Sequence, residues 1–126
     1  KNRTRPEMAK FGLSPGQPKV LHYLMRRDSC MQKSIAEALD IEPATVSRLI
    51  FNMEQTGMIR RAAPAENRRA EAISITDRGR EAHAKWEAMC RQVEADALRD
   101  FTAEEKARFL DYLCRMYRNL TGKTVE

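Results

Sequence analysis

Apolar residues recur along most of the chain at helical spacing, and one short stretch breaks the period. Val20, Leu21, Leu24 and Met25 form a first stripe, and Ile35, Ala36 and Leu39 form a second. Val46, Leu49, Ile50 and Met53 stand at i, i+3, i+4 and i+7, the footprint of one buried helix face. Ser14-Pro15-Gly16-Gln17 marks the start of the first of these helices: Ser14 caps, Pro15 takes the first helical position, and Gln17 reaches back as a capping box. Pro18 lies so close to that start that it forfeits only about one backbone bond. Pro43 opens the third helix after a tight Asp40-Ile41-Glu42 connection, and Gly57 ends it. Residues 3–11 fit the tail of an earlier helix stopped near Gly12, and Ser29–Met31 leaves room for only a very short extended piece.

The period then shortens. Met58 to Ala63 and Ala70 to Thr76 suit strands, with Ile73 and Ile75 on one face. The polar, turn-prone Pro64-Ala65-Glu66-Asn67-Arg68 between them makes the pair a hairpin. Thr76-Asp77 caps a long helix to about Leu98, turning Ala82, His83, Trp86, Met89, Cys90 and Val93 inward. Thr102-Ala103-Glu104-Glu105 is a further capping box, opening a last helix to about Leu120. Its apolar residues Phe109, Leu110, Leu113, Cys114, Met116, Tyr117 and Leu120 span a broad arc. A single small domain would struggle to cover both sides of that arc, so a dimer is expected.

At 126 residues the chain suits one domain with a modest core. Its 6% aromatic share and five glycines argue against a β-sandwich or barrel. No apolar run approaches the roughly 20 residues that span a bilayer, and no signal peptide is recognisable, so a cytoplasmic location without a membrane partner is expected. The chain opens on Lys1 rather than Met, which leaves room for an upstream segment. Cys30, Cys90 and Cys114 are odd in number and lack metal-ligand spacing, so reduced thiols and no metal or cofactor are expected. A net charge of +5 is compatible with nucleic acid but decides nothing alone. An enzyme is not expected, since there is no nucleophile–base pair, no HExxH-like or CxxC spacing and no glycine-rich phosphate loop.

Two short helices around a tight turn, followed by a two-stranded ribbon, describe a mainly α protein with a small β-hairpin wing, a winged helix-turn-helix. A recognition helix fits the major groove and presents polar side chains to base edges. Helix N-termini and basic residues hold phosphates, and arginines on a wing tip reach the adjacent minor groove.

The order and spacing of these elements resemble the multiple-antibiotic-resistance regulator (MarR) family. The resemblance runs from Gly12 to Thr76 in detail, and the helix layout extends it to nearly the whole chain. It is carried by Leu13-Ser14-Pro15 with Gln17 and Val20-Leu21, and by Ile35-Ala36-Glu37 with Leu39. Ala44-Thr45-Val46-Ser47-Arg48-Leu49-Ile50, Met53-Glu54, Gly57-Met58-Ile59 and Arg61 continue it. Arg68-Arg69-Ala70, Ile75-Thr76 and Gly79 complete it.

The resemblance implies a single domain over residues 1–126. Residues 14–76 would form the winged DNA-binding lobe, and 1–12 with 77–126 a helical dimerisation region. It implies a triangular homodimer on a pseudo-palindromic operator in double-stranded DNA, and a repressor released by a small aromatic or phenolic effector or by cysteine oxidation. Three departures stand out. Asn67-Arg68-Arg69 replaces the family's usual Asp-x-Arg in the wing, Phe51 stands at a generally polar position, and Pro18 replaces a common aromatic.

The DNA-binding set expected on these grounds is Gln32, Ser34, Ala44, Thr45, Ser47, Arg48, Asn52, Arg61, Arg68 and Arg69. The bland alternative is a solvated helix face and a loop that only keeps the chain soluble. Arg60 and Arg61 flank the wing base and suit either a phosphate contact or a structural ion pair. His22, His83 and Trp86 suit an effector pocket or satisfied core and interface positions. Phe51 suits packing against a neighbouring element or contact with a thymine methyl. The cysteines suit inert burial or redox sensing, which needs exposure and a lowered pKa. A winged-helix protein-interaction module without specific DNA binding is the alternative function, and Phe51 is the point in its favour.

Overall fold

In the computed structural model, which describes residues 4–62 and 72–125, the helical stripes become α1 (Thr4–Lys10), α2 (Gln17–Leu24), α3 (Gln32–Leu39) and α4 (Pro43–Gln55). The hairpin is β1 (Ile59–Ala62) with β2 (Ala72–Ile75), followed by α5 (Asp77–Ala97) and α6 (Ala103–Thr121). The chain divides into two compact units, residues 1–90 and 91–126, and α5 runs through the boundary.

The first unit holds the core. Val20, Leu21 and Leu24 of α2, Ile35 of α3, and Val46, Ile50 and Met53 of α4 are buried with Met58, Ile59 and Ile73. The start of α2 differs from the capping expectation. Gly16, at φ +90°, lies in the left-handed region, so the helix begins at Gln17 and neither Ser14 nor Pro15 takes part. A turn from the Gln17 N–H to the Ser14 carbonyl (3.1 Å) precedes it. One half of the expected box survives, because the Ser14 N–H donates to Gln17 Oε1 at 3.1 Å. The tight turn also brings Gly16 up to Leu49, whose methyls would lie 3.4 Å from a Cβ there.

β1 and β2 pair antiparallel with Ile59 opposite Ile75 and Arg61 opposite Ile73. Strand alternation therefore buries Ile73 and Ile75 together, as their spacing predicts. The short extended piece is a single bridge, in which Cys30 and Ile73 exchange backbone bonds of 2.9 and 2.7 Å. Thr76 then joins three elements: its hydroxyl donates to the Gly57 carbonyl (2.6 Å) and accepts from the Gly79 N–H (3.1 Å), capping α5. On α5, Ala82 and His83 are buried, whereas Trp86, Met89, Cys90 and Val93 are only half-buried. The inward expectation holds for Trp86, which packs against the core, and is corrected for Met89, Cys90 and Val93, on which too little packs within one chain to cover them.

In the second unit, both bonds of the Thr102 capping box are present. The Glu105 N–H donates to Thr102 Oγ1 (3.1 Å) and the Thr102 N–H to Glu105 Oε1 (2.8 Å). α6 buries none of its residues, and Phe109, Leu110, Tyr112, Leu113, Met116, Tyr117 and Leu120 are all exposed.

Gly79 tolerates no side chain. A Cβ would collide with the Met58 carbonyl and lie 2.8 Å from Ile75 Cγ1, both in packed surroundings. Gly79→Ala should lower the unfolding free energy by about 3 kcal/mol, at the upper end for overpacking. Thr102→Ala, which loses a solvated cap, should cost about 1 kcal/mol. Urea unfolding of the two variants checks the order, which equal losses would contradict.

Candidate nucleic-acid interface

Burial of Val46, Leu49, Ile50 and Met53 leaves the opposite face of α4 in solvent. Ala44, Ser47, Arg48, Phe51, Asn52 and Gln55 are exposed along it, and Thr45 is half-buried at its edge. No ion pair among the described residues engages Arg48. The N-termini of α3 and α4 differ in charge: Met31 at the first is neutral, whereas Glu42 at the second is a carboxylate. Met31 and Glu42 precede them without a side-chain cap, and neither helix has an acidic residue in its first turn. Gln32 and Ser34 lie half-buried in the first turn of α3, beside amide groups that favour anions. α6, by contrast, holds Glu104 and Glu105 in its first turn behind a complete capping box.

The wing root is tied to α4. Arg61 Nε lies 3.3 Å from Glu54 Oε2, with both side chains partly buried, which favours the structural ion pair for this residue. Arg60 Nε donates to Ser74 Oγ across the hairpin at 3.4 Å. Arg68 and Arg69 lie outside the described residues. Phe51 is 57% exposed, so the expectation that it packs against a neighbouring element is corrected. The reason is geometric, since Ile50 and Met53 already occupy the inward positions of that turn. Nothing in the sequence near Arg61 marked Glu54 as its partner. The available signal was that helix end and strand start are joined only through Thr56, Gly57 and Met58.

Two of the three candidate effector residues meet. His22 Nδ1 and His83 Nε2 are 3.3 Å apart, one ring donating and the other accepting, with ring centroids 5.4 Å apart. His22 is exposed and His83 buried. Burial holds His83 below the usual 6.5, opposed by the nearby Glu87 and reinforced by His22. Trp86, one turn along α5, packs on the apolar core instead. All three cysteines are free and half-buried. Burial raises the Cys30 thiol against the pull of Arg27, and burial with Glu87 raises Cys90, so both carry less of the reactive thiolate. Among the described residues no group of three or more His, Cys, Asp or Glu is placed to hold a metal, and no helix is long and apolar enough to cross a membrane.

One helix, a tight turn, a second helix with a polar outer face and a hairpin pinned to its end constitute a winged helix-turn-helix. Residues 13–70 match the MarR family. The solved transcriptional regulator PA3341 is 31% identical, with 95% of this chain and 88% of that chain covered and a TM-score of 0.72. The HTH-type transcriptional regulator YdgJ of Bacillus subtilis is 28% identical over 111 residues, 88% of this chain and 68% of that protein. The S. aureus MepR–DNA complex, at 24% identity and TM-score 0.75, covers 94% of this chain and 86% of its own and shares the fold. The chain belongs to the MarR family and is a transcriptional regulator.

The buried histidine gives stability a definite pH dependence. With its folded pKa below the unfolded 6.5, His83 takes up a proton more readily in the unfolded chain. Stability is therefore full above pH 6.5 and falls as pH drops through the window beneath it. His83→Gln should flatten that fall in urea titrations from pH 7.5 to 5. An unaltered slope would mean that other groups cause it.

Proposed function

We propose that the protein is a sequence-specific, ligand-responsive repressor that binds a pseudo-palindromic operator in duplex DNA as a homodimer, in the cytoplasm. The observation that carries this reading is the outward face of α4, where Ser47, Arg48 and Asn52 project into solvent from a helix whose other face is fixed in the core. That helix is of the size a major groove admits. In this reading Ser47, Arg48 and Asn52 meet base edges. Ala44 and Thr45 at the start of α4, and Gln32 and Ser34 at the start of α3, meet phosphate through side chain and backbone. Arg61, held by Glu54, sets the wing root on the backbone, and Arg68 and Arg69 enter the minor groove. MepR, which has the same fold, has been solved in complex with DNA.

The dimer reading rests on α6. Seven large apolar side chains stand exposed on that helix, a patch that stable soluble monomers rarely keep. Residues 1–12 and 77–126 supply the dimerisation region, with α6 central to it. The hydrogen-bonded His22–His83 pair, with Trp86 one turn away, is the place for a small aromatic or phenolic effector. Its ring nitrogens offer a donor and an acceptor to a hydroxyl or carboxyl group.

Sedimentation at micromolar concentration should give twice the chain mass of 14.5 kDa. A well-folded monomer would remove the dimer. DNA reading is tested by fluorescence anisotropy on a duplex enriched from a randomised pool and on a scrambled duplex. The wild type should prefer the enriched duplex at both low and moderate salt. Arg48→Ala should lose about 1–3 kcal/mol of that preference, the worth of one bidentate base contact. Equal weakening on both duplexes would move Arg48 to a phosphate.

A further inference from the structure

Phe51 is out of keeping with its neighbours. It sits on the outer face of α4, three residues after Arg48 and four after Ser47, with Asn52 and Gln55 completing a polar surround. An exposed aromatic alone needs no explanation. Here, however, the residue cannot be turned away. Rotating α4 to bury Phe51 would bring Val46, Ile50 and Met53, all fully buried, out of the core. It stays 57% exposed, while Glu54, one turn further along α4, pairs with Arg61 at the wing root.

We propose that Phe51 is a specificity-determining residue that reads the C5-methyl group of a thymine. The inference rests on the DNA-binding role proposed above. In the major groove the thymine methyl is the one strongly apolar feature that the four base pairs present, and phenylalanine is among the side chains suited to it. Position sharpens the statement. Residues three apart on a helix are neighbours on its surface, and their rise of about 4.5 Å is between one and two base-pair steps of roughly 3.4 Å. If Arg48 takes a guanine, the thymine read by Phe51 lies within about two base pairs of it. The preference is therefore for a thymine and a guanine at fixed short spacing in each half-site.

Removing the methyl without touching a hydrogen-bonding group isolates this contact, because deoxyuridine pairs as thymidine does. The full chain and its Phe51→Ala variant are each used to select duplexes from a randomised pool. The wild-type winner is then remade with deoxyuridine at each thymine in turn. Wild-type protein should lose about fourfold in affinity per half-site at one thymine near the guanine, the factor that burial of one methyl group supplies. Phe51→Ala should bind the thymidine and deoxyuridine duplexes equally while still selecting the guanine. Circular dichroism should show the variant folded, as its exposed position implies.

Two results overturn the inference alone: wild-type protein indifferent to deoxyuridine at every position, or methyl discrimination that persists in Phe51→Ala. Failure of the wild type to enrich any sequence overturns the DNA-binding reading as well, and leaves Phe51 to a protein partner.

Discussion

The rotation of α4 about its own axis is the constraint on which the rest depends. Val46, Leu49, Ile50 and Met53 enter a core made by α2, α3 and the hairpin, and three of the four are fully buried. Burying a side chain of that size is worth roughly 1.5–3 kcal/mol, so a rotated helix would forfeit a large part of a small domain's stability. The outward face is consequently a fixed surface rather than an adjustable one. Ser47, Arg48, Phe51 and Asn52 hold their places because of residues that never reach solvent.

Local patterns in the sequence carried much of this. The i, i+3, i+4, i+7 stripe located α4 and its free face. The Thr102–Glu105 box marked the start of α6 to the residue, and two-residue alternation placed Ile73 and Ile75 inward. Each of these depends on neighbours a few positions away. What escaped depends on partners distant in the chain. Gly16 is left-handed in a turn that brings it against Leu49, and Arg61 meets Glu54 across a turn whose geometry the sequence does not state. His22 and His83 were grouped as candidates, but their direct hydrogen bond joins positions on α2 and α5. Phe51 was expected to pack, because its apolar character does not reveal that the inward places on its turn are already taken.

Half-burial along α5 and the exposed apolar face of α6 have a common cause. Amphipathic helices are stabilised by what covers their apolar face, and a stripe such as Trp86, Met89, Cys90 and Val93 needs more cover than one chain places on it. Cys30 and Cys90 are left half-buried, and burial raises both thiols, so each carries less thiolate at neutral pH.

The Thr76 hydroxyl, shared between the Gly57 carbonyl and the Gly79 amide, closes the base of the hairpin independently of what the hairpin carries. With the Cys30–Ile73 bridge and the Glu54–Arg61 pair, it anchors both ends of the ribbon to the helices that flank it. The segment between Ala62 and Ala72 can then lengthen, shorten or change charge over evolutionary time without tilting α4. On the proposed DNA-binding reading, selection is free to retune one half of the recognition surface while the other half stays as it was, so new target preferences are reachable by insertions as well as by point changes.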